Sequence, residues 1–220
     1  MKPEDLIPGS VIEALPIFPL PNVVLFPRTV LPLHVFEPRY LDMVSDIMDS
    51  DRLMGIVQLA SGWEADYYGT PPLCPVLGVG ELLRQRAADD GRINISVKGL
   101  RRASVLGEIA GDTPYRRVSV EILEEVPGVT PGQLATVRQI FASILAGIEG
   151  AKLEDAAVLF DAELDPGLLI DAIATAAPLS PQSKQILLEE HVQPDRADQL
   201  AEFLIELATD MTEWSEAGPG

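Results

Sequence analysis

A single cysteine, Cys74, in 220 residues excludes any internal disulfide framework. Histidine is almost as scarce. His34 and His191 are far apart in the chain and neither sits in an H-E-x-x-H pattern, so a zinc-hydrolase signature is missing. No apolar run approaches the roughly 18–20 residues that cross a bilayer, and MKPEDLIPGSVIEALP has neither the basic start nor the apolar core of a secretory leader. These absences point to a cytoplasmic protein with no membrane partner. Basic residues are also few, 16 Lys and Arg against 34 Asp and Glu, for a net charge of −18. The deficit is uneven: residues 1–125 hold 12 basic and 18 acidic residues, and residues 126–220 hold 4 and 16. Such a chain repels phosphate backbones, so nucleic acid is not an expected partner.

Sites of chemistry are missing as well. None of the four lysines (Lys2, Lys98, Lys152, Lys184) is followed by Ser or Thr, so no phosphate-cradling G-x-x-x-x-G-K-[ST] loop exists, and G-x-S-x-G is absent. The acidic run from Asp161 to Gly167 fails as a calcium loop, with Pro166 at the sixth position and Ala172 at the twelfth. Asp165 fits a helix cap better. His34 is expected to be structural and Cys74 a small buried hydrophobe. No catalytic residue, metal site or cofactor is expected.

What the sequence does have is proline among apolar residues. Pro16, Pro19, Pro21, Pro27, Pro32 and Pro38 fall within Leu15–Met48. Proline removes a ladder donor, so the segment is expected to form short extended pieces, kinked and placed at a sheet edge or bulge. From Tyr40 the period changes: Tyr40, Met43, Val44, Ile47 and Met48 make one stripe of a helix, with Pro38 suited to its first position and Glu37 extended as a cap. Phe36 and Leu41 are placed to close a hydrophobic staple.

Leu53–Leu59 and Val76–Gln85 suit buried strands, with Gly78 and Gly80 marking a bulge or close backbone approach. Ser61–Pro72 between them reads as a loop. Beyond a turn at Asp89-Asp90-Gly91, Ile93, Ile95 and Val97 alternate with polar residues, Arg101–Leu106 continues, and Val118, Val120 and Ile122 alternate again. Several short strands and one helix predict a small, mostly β barrel. After Val126 the pattern is helical. Thr130-Pro131-Gly132-Gln133 is a capping box opening a stripe from Leu134 to Ile148 that stops at Gly150. Asp165-Pro166 and Ser180-Pro181 open two more helices, a last one spans about Asp195 to Met211, and a short one near Leu153–Phe160 is conceivable. The expected organisation is α+β: a barrel over residues 11–125, a helical bundle over 126–212, and loose termini at 1–10 and 213–220.

The segment LPIFPLPNVVLFPRTVLPLHVFEPRYLDMV resembles the opening of the Lon substrate-binding domain, the N-terminal domain of ATP-dependent Lon proteases, which also occurs in small stand-alone bacterial proteins. DGRINISVKGLRRASVLGEI with PYRRVSVEIL is similar to the same domain, as is the helical segment around KQILLE, so the resemblance extends over about Leu15–Leu207. It implies a PUA-like barrel followed by helices, and recognition of unfolded or tagged protein segments or of a protein partner. The ATPase and Ser–Lys peptidase modules of Lon are not in this chain, so a non-catalytic recognition domain is expected. An RNA-binding module and a small-ligand barrel are the alternatives.

Two groups of residues are candidate binding sites. Trp63, Tyr67 and Tyr68 lie in a polar loop too short to hide them all, and exposed loop aromatics anchor peptides. Arg84, Arg101 and Arg102, with Arg86, Arg116 and Arg117, are expected to gather on one side of the barrel and receive an acidic partner, against the plainer reading of solvated arginines. The motif residues Phe18, Phe26, Pro27, Phe36 and Tyr40 are expected in the core.

Overall fold

Six strands make up the first of two units in the computed structural model, which describes residues 2, 5–66, 69–87, 91–148 and 163–217. They are β1 (Val11–Leu20), β2 (Val30–Val35), β3 (Leu53–Gln58), β4 (Val76–Ala87), β5 (Ile93–Ile109) and β6 (Arg117–Ile122), with helix α1 (Pro38–Met48) between β2 and β3. The order is β2-β5-β4-β3-β1-β6, and β6 pairs again with β5. Five strands thus close into a ring, with β2 attached outside it on β5. Closure is possible because β5 has 17 residues: its first half pairs with β2 and its second half with β6, while β4 lies along both. Only β1 and β3 run parallel, and β2 with α1 forms the crossover that a parallel pair requires.

Two apolar layers explain why β3 is buried at all six positions. Leu53 and Val57 face the ring interior with Leu15, Ile17, Leu77, Val79, Ala103, Val118, Val120 and Ile122. Met54 and Ile56 face the other way, toward Tyr40, Met43, Val44 and Ile47 of α1 and toward Leu82, Ile95 and Val97. A strand covered on both faces shows a continuous apolar run rather than alternation.

The prolines of β1 are accommodated differently from the expectation of an edge. Pro16 pairs with Arg117 of β6 and Pro19 with Val57 of β3, inside the ring. The strand changes partner between Pro16 and Ile17, so each half is paired on one side. A proline then leaves one ladder undisturbed, and a bulge between Ile12 and Leu15 absorbs the irregularity.

Helix α1 starts at Pro38, with Glu37 extended before it (φ −73°, ψ 132°), and buries Tyr40, Met43, Val44 and Ile47. Phe36 is a correction: it is 63% exposed. Val35 ends β2 pointing into the core, and strand alternation turns the next side chain outward. Phe36 has the Arg92 guanidinium 6.0 Å from its ring centre. Leu6, expected in a loose arm, is buried in the ring interior.

Glycine is needed where the Val23–Thr29 connection crosses the sheet. A Cβ on Gly78 would lie 2.1 Å from the Leu25 carbonyl oxygen, and one on Gly99 would lie 2.0 Å from that of Phe26. Backbone bonds fasten the crossing: Arg28 N–H donates to Gly99 O (2.7 Å) and Gly99 N–H donates to Thr29 O (2.9 Å).

The second unit, Glu125–Gly220, is built of α2 (Pro131–Gly147), α3 (Pro166–Ala176), α4 (Pro181–Glu189) and α5 (Gln193–Ala217). All three predicted capping devices form. Gln133 N–H donates to Thr130 Oγ1 (3.2 Å) while Thr130 N–H donates to the Gln133 side chain (3.0 Å). Asp165 caps Leu168 N–H (2.9 Å), and Ser180 caps Ser183 N–H (3.0 Å). Helix α2 ends at Gly147 with Ile148 as its cap, ahead of Gly150, and α5 continues past Met211 to Ala217, where a frayed tail was expected. The helix near Leu153–Phe160 and the turn residues Asp89 and Asp90 lie outside the described residues.

Inside this unit Arg196 and Asp171 are both fully buried and approach to 3.3 Å. The Arg196 guanidinium also donates to Glu190 O (2.6 Å) and to Glu125 Oε1 (3.3 Å). One side chain of α5 thus holds α3, the end of α4 and the entry to the bundle.

Two stability tests follow from these contacts. Gly99→Ala is expected to cost about 2–3 kcal/mol in urea unfolding, whereas Gly107→Ala, whose Cβ meets nothing within 4 Å, stays close to wild type. Arg196→Met removes the guanidinium that faces the fully buried Asp171 carboxylate and is expected to cost about 3–5 kcal/mol. Adding Asp171→Asn should return part of that loss.

Candidate functional site

A shallow cleft in the first unit collects side chains from five parts of the chain. Its floor is Pro19 of β1, Tyr40 of α1 and Leu59 just after β3; Gly69 and Pro71 border it from the loop, and Arg39 and Arg116 wall it. Tyr40 is 5% exposed and stacks at a tilt on Phe18, with ring centroids 4.2 Å apart. The helical register explains the arrangement: Tyr40 points into the core, and Arg39, one residue earlier, lies at the helix rim with its guanidinium 4.7 Å from the Tyr40 ring centre.

Both arginines are held by carboxylates. Arg39 Nε donates to Glu37 Oε2 (3.0 Å) and its Nη2 lies 2.8 Å from the same oxygen. Arg116 grips Glu108 through Nε (2.9 Å) and Nη2, and donates through Nη1 to the Pro71 carbonyl (2.9 Å). The walls are therefore planar, polar and charge-compensated around an apolar floor. The last bond also ties the 61–72 loop to the barrel. The loop base is pinned besides, by Ala60 N–H donating to Pro72 O (2.9 Å) and Cys74 N–H to Gln58 O (2.9 Å).

Below the cleft, α1 is locked to the segment entering β6. The Tyr115 hydroxyl donates to Asp46 Oδ2 (2.7 Å). Burial first, and then the hydrogen bond and negative charge of Asp46, push the phenol up to about 12.

Trp63 opens a short 3-10 turn, Trp63–Asp66, and is half-buried. Tyr67 and Tyr68 lie outside the described residues. The arginines do not gather as expected. Arg102 is 1% exposed and sits 5.7 Å from the Phe26 ring centre, a core residue rather than a surface cation. Arg101 is exposed and donates through Nε to Leu6 O (3.1 Å), and Arg84 is exposed on β4. Arg116 belongs to the cleft, and Arg117 is half-buried. Sequence reasoning missed Arg39, Leu59 and Pro71, and placed Tyr40 only in the core. The available signal was an arginine directly before the first stripe residue of α1, which puts a cation at the edge of that stripe.

His34 sits exposed on β2 with its Nδ1 against Asn94 Oδ1, and Cys74 is half-buried. Among the described residues no cluster of His, Cys, Asp and Glu could hold a metal ion, and no helix is long and apolar enough to cross a membrane.

The sequence model of the ATP-dependent protease La (LON) substrate-binding domain matches residues 14–206. The chain is 25% identical over 179 residues to the Lon protease of Desulfosudis oleivorans, covering 80% of this chain and 22% of that protein. It is 30% identical over 193 residues to the Lon protease of Anaeromyxobacter dehalogenans, covering 86% of this chain and 23% of that one. The chain thus spans about a quarter of the length of these relatives. The Lon N-terminal domain protein from Xanthomonas campestris superposes with a TM-score of 0.65 at 23% identity, over 87% of this chain and 99% of its own. The N-terminal domain of Mycobacterium avium complex Lon protease gives 0.66 at 18% identity, over 88% and 99%. At these identities the two structures establish the mixed α+β fold alone.

The Tyr115–Asp46 lock has a pH signature. The folded protein keeps the phenol proton to about pH 12, and the unfolded chain loses it near the ordinary 10.0. The stabilisation is thus complete below pH 10 and declines as pH rises from there toward 12. Tyr115→Phe, followed by denaturant unfolding at stepped pH, should flatten that part of the decline relative to wild type.

Proposed function

We propose, for a chain that belongs to the family of Lon substrate-binding domains, that it captures polypeptide segments without chemistry of its own and uses the Tyr40 cleft to do so. The observation carrying this reading is the charge compensation of both arginine walls. Glu37 and Glu108 already neutralise Arg39 and Arg116, so the cleft offers an apolar floor between flat guanidinium faces and calls for no anion in its ligand. The free space is only about 10 Å³ and Tyr40 and Leu59 are each 5% exposed, so the proposed contact is an extended segment lying across the cleft mouth, stacked on the guanidinium planes, rather than a side chain inserted into it.

The lining side chains also favour binding over catalysis. Proline, leucine, tyrosine and paired arginine supply no imidazole, thiol, amine or carboxylate positioned as a nucleophile with its base. The loop that contributes Gly69 and Pro71 carries Trp63, Tyr67 and Tyr68, and these aromatics are proposed to extend the contact. A cytoplasmic setting, with protein segments as partners and no cofactor, completes the reading.

Fluorescence anisotropy of labelled, unstructured apolar peptides titrated with the protein tests it. Saturable binding in the micromolar range is expected, weakened several-fold by Arg39→Ala or Trp63→Ala. Absence of saturation across a varied peptide set would sink the idea. Binding indifferent to both substitutions would take the site away from this cleft.

A further inference from the structure

The outer face of β2, β5 and β4 carries cations of a different kind. Strand register puts Arg84 opposite Ser96, Arg86 opposite Asn94 and Lys98 opposite Glu81, all on the side facing away from the core formed by Leu82, Ile95 and Val97. Arg84, Arg86 and Lys98 are exposed, and among the described residues none of them makes a hydrogen bond or ion pair. Glu81 is the single carboxylate in these three rows.

That is unusual for this molecule. Acids outnumber bases 34 to 16, and Arg39, Arg116 and Arg196 each hold a carboxylate. Three exposed cations on one sheet face, with Glu81 as the one carboxylate in their rows, form a local positive field within a negative protein. Surface cations alone are ordinary; three on one sheet face with a single carboxylate in their rows, against such an excess of acid in the chain, is what asks for an explanation.

We propose that this sheet face is a second binding surface, distinct from the Tyr40 cleft, that docks acidic polypeptide in extended form. Arg84 and Arg86 are two residues apart on one strand, about 6.6 Å along the sheet. Carboxylates at alternate positions of an extended chain repeat at that same interval and share one face. A segment lying along β4 therefore sets successive acids on Arg84 and Arg86, with Lys98 one strand away for a third, and the Ser96 side chain beside Arg84 for backbone groups. Nucleic acid is the poorer fit. A polynucleotide carries many phosphates beyond the three that these cations meet, each repelled by a chain of net charge −18, whereas a short segment with three acids brings no such surplus.

The test uses the full chain and a labelled peptide alternating glutamate with threonine, beside its lysine counterpart and an unstructured oligouridylate of matched charge. Saturable binding of the glutamate peptide alone is expected. The Arg84→Glu/Arg86→Glu double variant should weaken it on the order of tenfold or more, and Lys98→Glu less. The same variants should hold the apolar peptide of the cleft as wild type does, which separates failure of this surface from failure of the other. Because both arginines are exposed the variants should fold; far-UV circular dichroism checks this, and Arg84→Gln/Arg86→Gln serves if charge reversal disturbs the barrel. No binding of the glutamate peptide, unchanged binding by the arginine variants, or equally tight oligouridylate binding at these residues would each overturn the proposal.

Discussion

The carbonyl oxygens of Leu25 and Phe26 occupy the space where Gly78 and Gly99 would carry side chains. Backbone lies directly on backbone there, closer than any other residue would permit. From that contact the rest of the first unit can be followed outward. The chain emerging from the crossing is delivered onto β5 as β2, paired from Val30 with Lys98 to Val35 with Ile93. The end of β2 fixes Glu37, Pro38 starts α1, and α1 closes the outer apolar layer with Tyr40 at its first turn. The Tyr40 cleft is thus positioned by a contact that lies two elements upstream of it. A methyl group at residue 99 would displace the crossing and, with it, the strand and helix that carry the floor of the site.

Arginine has four different fates in this chain, and environment decides among them. Arg102 is buried against an aromatic face in the barrel, and Arg196 is buried among carboxylates in the helical unit. A buried guanidinium needs its charge answered, because desolvation of an unpaired ion costs several kcal/mol. Arg39 and Arg116 stand at the rim of a cleft, half in water, each with a glutamate. Arg84 and Arg86 project from a sheet face into solvent, where hydration keeps the cost of a charge small. Sequence treats all six alike. Only register and burial separate structural cations from those free to meet a partner.

Legibility in the sequence followed how local the governing physics is. Helix starts were readable because a capping residue and a proline, joined at Thr130 by Gln133 three places on, act within one turn; Thr130, Asp165 and Ser180 all cap as their spacing indicates. Strands with one wet face were readable from alternation, as at Ile93–Val97 and Val118–Ile122. Leu53–Gln58 was legible as a buried run, but which two layers cover it is a tertiary fact. The prolines of β1 were visible, yet their toleration depends on a change of neighbour at Pro16 that no local pattern encodes. The cleft was the least legible part. Its residues come from positions 19, 39–40, 59, 69–71 and 116, brought together by ring closure, and each alone is unremarkable in composition.

The pentapeptide Phe36-Glu37-Pro38-Arg39-Tyr40 shows why a motif of fold and a motif of site need not be separate. Pro38 holds Glu37 extended and begins the helix. That extended cap leaves the Glu37 carboxylate within reach of Arg39 two residues later, and the bond lays the guanidinium over Tyr40. Tyr40 in turn is anchored through Phe18 of β1. Every residue after Phe36 therefore has a backbone or core duty and, by the same geometry, a place in or beside the cleft. Phe36 turns outward, because strand alternation at the end of β2 leaves it no inward direction. A sequence pattern read only as a mark of the core conceals this double use, since the side chain that fills the core and the side chain that walls the cleft are consecutive residues of one helical turn.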